Sequence, residues 1–399
     1  MDPALRNVMS SDLLFNIFSK FSFEQKTKTA QVCQLWKDVV YHKSMWRNIK
    51  IKIEEDMKEC DVDTILPNLI KRDITGVRCS ISSQQTCEAH RFTRNKLMKE
   101  MTSLKSVDFH LNFTTDEEQT ELFLSNMPHL IDVAIKGCQV WKAIDNCFSL
   151  CQNIEYLTLD NCGFKYPNAD NLLQNIATHL PKLRSLRLMP SFYNLTDTGI
   201  GYLTGCIDAQ SKAVVHPQLE TLTLGWCNIT DQSLQHISSG FHSLKQLDLY
   251  SKHITNRGVG YLAKMKCLKE LGLYANINED CLKLLSDEGS KLTCLKVQNS
   301  QGAFTDQALE YIGQSHLLLE ELAMSRWDVT DDGFCRYHGQ NIKRLTLSQC
   351  HFITYKSLEI IAEKFTSLEY LKVCWCGNIT AQGMKKIRKF RKNVKVQIW

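Results

Sequence analysis

The chain of 399 residues is longer than a single compact core usually grows, so several domains or a repeat array are expected. A hydrophobic content of 43% and a charged content of 23% are those of a folded chain and argue against long disordered stretches. The net charge of +5 is too dilute over this length to imply nucleic acid or a membrane surface as partner, and no run approaches the roughly 18 apolar residues of a spanning helix.

Met1 to Val8 lacks the charged start and apolar stretch of a secretory signal, so a cytoplasmic or nuclear location is expected. Residues 1–50 form a separate N-terminal module, and within it residues 8–47 carry a helical period. Ser10 or Ser11 is placed to cap a helix whose apolar residues Leu13, Leu14, Ile17, Phe18 and Phe21 fall three and four apart. A second helix is predicted from near Glu24, carrying Ala30, Val32, Cys33 and Trp36. Some 40 residues, on the order of half a minimal self-sufficient core, cannot bury this much apolar surface alone, which implies a partner. Residues 51–103 repeat only weakly, with degenerate strands at Trp46–Ile53 and Ile74–Ser80.

From residue 104 to 399 one pattern returns: Leu-x-x-Leu-x-Leu, a Cys or polar position, then Ile-Thr and a helical stretch. It reads LETLTLGWCNITDQSL from Leu219 and LEELAMSRWDVTDDGF from Leu319, with eleven copies beginning at Leu104, Leu130, Ile154, Leu183, Leu219, Leu244, Leu268, Leu292, Leu319, Ile342 and Leu368. Most are 23 to 29 residues apart, the spacing of leucine-rich repeats. The Leu-x-Leu alternation is that of a strand with leucines inward, so an α/β solenoid is predicted: a curved parallel sheet on the concave face, helices on the convex face, and a capping strand at the end. Thr196, Thr230, Thr255, Thr305, Thr330, Thr354 and Thr380 are placed as helix N-caps. The step from Leu183 to Leu219 stretches to 36, which puts a loop insertion at Cys206 to Pro217.

Of 17 cysteines, an odd number, Cys138, Cys162, Cys227, Cys350 and Cys376 share one repeat position, so buried reduced thiols are expected there, hydrogen-bonding the backbone where the chain leaves each strand.

The segments LLFNIFSKF at 13–21, VCQLWKDV at 32–39 and MWR at 45–47 resemble the F-box, and with the repeats behind them the chain is similar to the F-box/leucine-rich-repeat family of cysteine-containing type. The Leu-Pro that normally opens the motif is Val8-Met9 here. The resemblance implies a substrate-recognition subunit of an SCF-type cullin-RING ubiquitin ligase. Such a subunit docks a SKP-type adaptor, and through it a cullin scaffold, while its repeats hold a protein substrate. It contributes proximity and no catalysis of its own. Adaptor contacts carried over by resemblance are Met9, Leu13, Leu14, Ile17, Phe18, Val32, Cys33 and Trp36; the other reading of each is F-box core. A repeat scaffold that recruits no ligase is the competing function.

The outward positions just after Leu-x-Leu give the candidate target-binding residues: Trp226, Tyr250, Tyr274, Arg326 and Trp375, with Gln298, Asn299 and Gln349 beside them. Trp226, Tyr250 and Tyr274 are expected on successive strands, roughly 5 Å apart, as an aromatic hot spot; the alternative is packing between repeats. No metal site or cofactor is expected, since Cys374-x-Cys376 alternates faces on a strand and no partner pair completes it. No nucleophile, phosphate-loop or dinucleotide motif is present. Three of the four glycosylation-type sequons, Asn194, Asn228 and Asn378, coincide with the Asn-x-Thr corner of the repeat. The basic run KKIRKFRKNVK from Lys385 reads as the solvated face of a terminal helix or as a nuclear address.

Overall fold

A computed structural model describes residues 11–21, 23–42, 45, 50–53, 66–67, 70, 75–81, 100–111, 128–137, 148–162, 169–189, 192–207, 216, 218–287, 291–299, 304–314, 318–337, 339–379 and 393–398. The chain divides into two compact units, Met1–Cys162 and Gly163–Trp399.

The first unit opens with α1 (Ser11–Ser19), α2 (Phe23–Thr29) and α3 (Gln34–Val40). Leu14 and Phe18 of α1 are buried, and the Phe18 ring meets Phe21 at 5.4 Å and Trp36 of α3 at 5.1 Å. The single second helix expected from Glu24 is two helices. The Thr29 hydroxyl donates to the Gln25 carbonyl at 2.7 Å, a local bond that competes with helix continuation, and Cys33 is fully extended before α3. Lys26 is buried at 2% exposure and donates to the Met45 carbonyl at 2.7 Å, and burial lowers its pKa. Five strands follow: β1 (Lys50–Ile53), β2 (Gly76–Ile81), β3 (Ser106–Leu111), β4 (Asp132–Lys136) and β5 (Tyr156–Asp160). They pair in parallel in chain order, with Val107, Val133 and Leu157 in one inward row.

The second unit alternates helix and strand: α4 (Ala169–His179), β6 (Ser185–Met189), α5 (Asp197–Thr204), β7 (Thr221–Leu224), α6 (Asp231–Gly240), β8 (Gln246–Tyr250), α7 (Asn256–Ala263) and β9 (Glu270–Ala275). The alternation continues through α8 (Asp280–Asp287), β10 (Cys294–Asn299), α9 (Asp306–Gln314), β11 (Glu321–Ser325), α10 (Asp331–Arg336), β12 (Arg344–Ser348), α11 (Tyr355–Lys364), β13 (Tyr370–Cys374) and the closing β14 (Lys395–Ile398). All pairs are parallel, and Leu222, Leu247, Leu271, Leu295, Leu322, Leu345 and Leu371 form one buried row across seven strands. The first apolar residue of all eleven repeats is buried, and each described strand from β3 to β13 begins two residues after it. This is the leucine-rich-repeat solenoid the period predicts.

The threonines cap the helices. Thr196, Thr230, Thr255, Thr330 and Thr354 each accept a hydrogen bond from the N–H two residues on. Thr305 does the same for Gln307 at 3.3 Å, while Thr380 lies outside the described residues. Each capping threonine also donates its hydroxyl and its N–H to an acidic residue at the start of the previous helix. These donations run from Thr196 to Asp170, Thr230 to Asp197, Thr255 to Asp231, Thr305 to Glu279, Thr330 to Asp306 and Thr354 to Asp331. At α8, Asn278 takes the threonine's place and bonds Asn256. A polar ladder thus stitches consecutive repeats along the helix starts.

Candidate functional site

The eight residues carried over as adaptor contacts are placed differently from one another. Leu14 and Phe18 are spent inside the helical module, at 1% and 3% exposure, and Trp36 packs edge-on against Phe18. Leu14 and Phe18 thus sit in the core of the helical module, with the half-buried Trp36 at its edge. Leu13 and Val32 are exposed at 45% and 41%, and Ile17 and Cys33 are half-buried. Met9 lies outside the described residues. Leu35, which the sequence reading passed over, is exposed at 39% on α3.

In the second unit, the residues just past Leu-x-Leu fall into two sets. Tyr250, Tyr274 and Gln298 are strand residues of β8, β9 and β10 and pair directly across the sheet. Trp226, expected on a strand beside them, lies beyond the end of β7. The register aligns Leu224 with Leu249, so Gly225 fills the slot that Tyr250 fills next door. The three rings nevertheless meet: Trp226 is edge-on to Tyr274 at 4.7 Å and 6.1 Å from Tyr250, and the two tyrosines stack at 6.3 Å. Burial and the nearby Asp248 carboxylate push the Tyr250 phenol above its ordinary pKa, so it stays a hydrogen-bond donor.

The second set sits at the corner where the chain leaves the strand. Trp226, Arg326, Gln349 and Trp375 all have left-handed backbones, with φ of 42°, 58°, 54° and 50°. Large side chains are strained there, by about 1–2 kcal/mol. The same slot in the first unit holds Gly137 and Asn161, residues that tolerate the conformation. The bend aims corner N–H groups at the next repeat: Arg326 donates to the Ser348 carbonyl and Gln349 to that of Cys374, each at 2.9 Å. Trp375 is 67% exposed, and Arg326 Nε bonds Gln349 Oε1 at 2.7 Å. The residue after the corner turns inward. Cys162, Cys227, Cys350 and Cys376 are buried there with thiols on backbone carbonyls, as at 3.7 Å from Cys227 Sγ to Tyr250. Burial raises the Cys227 pKa to about 12, so this thiol is no nucleophile. Cys138 lies outside the described residues, and Trp327 does the cysteine's work in its own repeat, donating Nε1 to the Val297 carbonyl at 3.1 Å.

Below the tyrosines, β8, β9 and β10 carry Asp248, Gly272 and Lys296 in one row, bordering a recess of about 160 Å³ on the strand face. Sequence reasoning missed this row because it took only positions after Leu-x-Leu, whereas Asp248 and Gly272 are the middle residue of that triplet.

Comparison with known proteins adds three findings. The F-box-like family profile matches residues 11–52. The chain is 24% identical over 313 residues to NACHT, LRR and PYD domains-containing protein 9 of Bos taurus, covering 67% of this chain and 28% of that protein. Its fold is similar to a chain in the crystal structure of the Rad7 and Elc1 complex in yeast, with a TM-score of 0.58, 15% identity and coverage of 98% of this chain and 89% of that one. The chain thus carries an F-box-like segment followed in sequence by a cysteine-bearing leucine-rich-repeat solenoid.

Proposed function

We propose that the chain is the target-recognition subunit of an SCF-type cullin-RING ubiquitin ligase. Its helical module docks a SKP-type adaptor, and the strand face of its repeats holds a protein target. The observation that carries this reading is the F-box-like match at residues 11–52, whose helices leave Leu13, Val32 and Leu35 exposed. Apolar side chains presented on so small a module suit burial against a partner. The structurally similar Rad7 forms a complex with Elc1, which supports an adaptor-type partner here. Trp226, Tyr250 and Tyr274, three exposed or half-buried aromatics in mutual contact, are the proposed centre of target binding. The subunit brings the target to a ubiquitin-loaded enzyme held elsewhere in the complex, in cytoplasm or nucleus, and supplies effective concentration in place of chemistry.

The test is capture of purified SKP-type adaptor and cullin by the full chain. Wild type is expected to retain both, and Leu13→Asp with Val32→Asp to lose both, because each carboxylate would be buried unpaired. Wild type that captures neither supports the scaffold reading suggested by Val8-Met9. Retention by the folded double variant moves the docking surface elsewhere.

A further inference from the structure

Gly272 lies in the middle of a central strand, where glycine weakens a sheet, and its backbone is not among the left-handed glycines. Its conformation does not require glycine; its surroundings do. A Cβ on Gly272 would lie 2.1 Å from Asp248 Oδ1, so the missing side chain is the room into which the Asp248 carboxylate extends. Asp248 Oδ2 accepts from Gln246 Nε2 at 2.9 Å, whereas Oδ1 has no hydrogen-bond or ion-pair partner among the described residues. Lys296, across Gly272, is held by Glu321 at 3.1 Å, which in turn also meets Arg344 at 3.5 Å. Lys296 also feels the Asp248 charge, but among the described residues no cation lies within ion-pair distance of that carboxylate, which leaves it the charge without a direct partner at the recess.

Above it stand Tyr250 and Tyr274, two residues further along the same faces of β8 and β9, with Trp226 edge-on to Tyr274. A carboxylate under aromatic faces is complementary to one kind of group, an organic cation, through a charge-assisted hydrogen bond below and cation–π attraction at the side. On the reading that this face receives the target, we propose that the recess takes a basic side chain, arginine or lysine, of the target polypeptide. Gly272 is then a specificity-determining position: it keeps Asp248 within the recess. An acidic side chain is excluded by repulsion from Asp248, and a neutral one leaves the carboxylate desolvated and unpaired.

The experiment uses the immobilised full chain without adaptor and degenerate peptide pools that differ at one fixed position: arginine, lysine, citrulline or glutamate. The arginine and lysine pools are expected to bind about tenfold or more tighter than the citrulline and glutamate pools, the gain from one charge-assisted contact. Asp248→Asn, which keeps the side chain's size, should erase the difference, and Asp248→Lys should turn the preference toward glutamate. Gly272→Ala, whose methyl displaces the carboxylate, should lose it as well. Pools that bind wild type equally, or not at all, overturn the proposal, as does a basic preference that survives Asp248→Asn. Adaptor capture is scored separately. Its loss with the basic preference intact removes the ligase reading alone, and the converse removes only the recess ligand.

Discussion

Asp197 and Thr230 begin consecutive helices and are tied twice: Asp197 Oδ1 accepts from the Thr230 N–H at 2.8 Å and Oδ2 from its hydroxyl at 2.7 Å. Thr230 Oγ1 in turn accepts from the Gln232 N–H at 3.2 Å, and Ser233 donates its N–H to Asp197 Oδ1 at 3.1 Å. One carboxylate thus holds the start of the next helix. Asp197→Ala removes a cap and strands partly buried donors, so it should cost about 2–3 kcal/mol in thermal or denaturant unfolding. Substituting the exposed Gln232 should cost less than about 0.5 kcal/mol.

The same carboxylates make stability depend on acid. Burial works against the charge of Asp197, but bonds from Ser233 and Thr230 outweigh it and hold its pKa below the ordinary carboxylate value; Asp331, bonded by Ser357 and Thr354, behaves alike. A depressed folded pKa means the contribution is complete above the unfolded value of about 3.9 and is lost as pH falls through the folded value. Unfolding measured between about pH 5 and pH 2 should therefore show wild type and Asp197→Asn converging at the acid end. A constant gap would mean that the carboxylate's charge contributes nothing.

His216 sets a second, milder window. It is fully buried at the end of the insertion, neither ring nitrogen has a hydrogen-bond partner among the described residues, and burial lowers its pKa to about 4. Protonation therefore favours unfolding. Its contribution is present above about pH 6.5 and lost as pH falls toward 4, amounting to about 3 kcal/mol. His216→Phe should flatten stability across that interval, measured by chemical denaturation at each pH.

Trp226 supplies a test of opposite sign from the usual glycine effect. With φ at 42°, its backbone suits glycine better than any other residue. Trp226→Gly should be more stable than Trp226→Ala by about 1 kcal/mol, since both lose the ring contacts and only the alanine keeps the strain. Both should weaken target binding by about 2 kcal/mol or more. Equal melting of the two variants would remove the strain argument, and unchanged binding would remove the aromatic site.

Leu14 and Leu13 are neighbours in sequence with opposite duties. Leu14→Ala should cost about 3 kcal/mol by opening a cavity in the helical module, which Leu14 fills at 1% exposure. Leu13→Ala, at a position 45% exposed, should cost under about 1 kcal/mol in stability while weakening adaptor capture. The pair separates folding from docking in one assay series.

Much of this architecture was legible in the residues. Strand starts followed from the first leucine of each repeat because the inward leucine and the strand register are one constraint, and the threonine caps followed from helix-end chemistry. What the pattern did not carry was long-range. The acidic partner of each threonine sits 23 or more residues earlier and becomes a neighbour only when repeats stack. Nor did a periodic count distinguish Tyr250, on a strand, from Trp226, on a left-handed corner one residue later. In the helical module, spacing marked Leu13, Leu14, Ile17 and Phe18 as one stripe, but which side of the stripe is covered depended on α3.

The strict alternation of covered and uncovered residues along β6, β8, β11 and β12 separates two vocabularies within each strand. The leucines spell the scaffold, and the residues between them spell what the scaffold touches. Replacing Asp248, Gly272 or Lys296 rewrites a word of the second vocabulary while Leu247, Leu271 and Leu295 continue to hold the first. If that face receives the target as proposed, a chain so built can exchange its partner by single substitutions there, with its fold left to the inward residues.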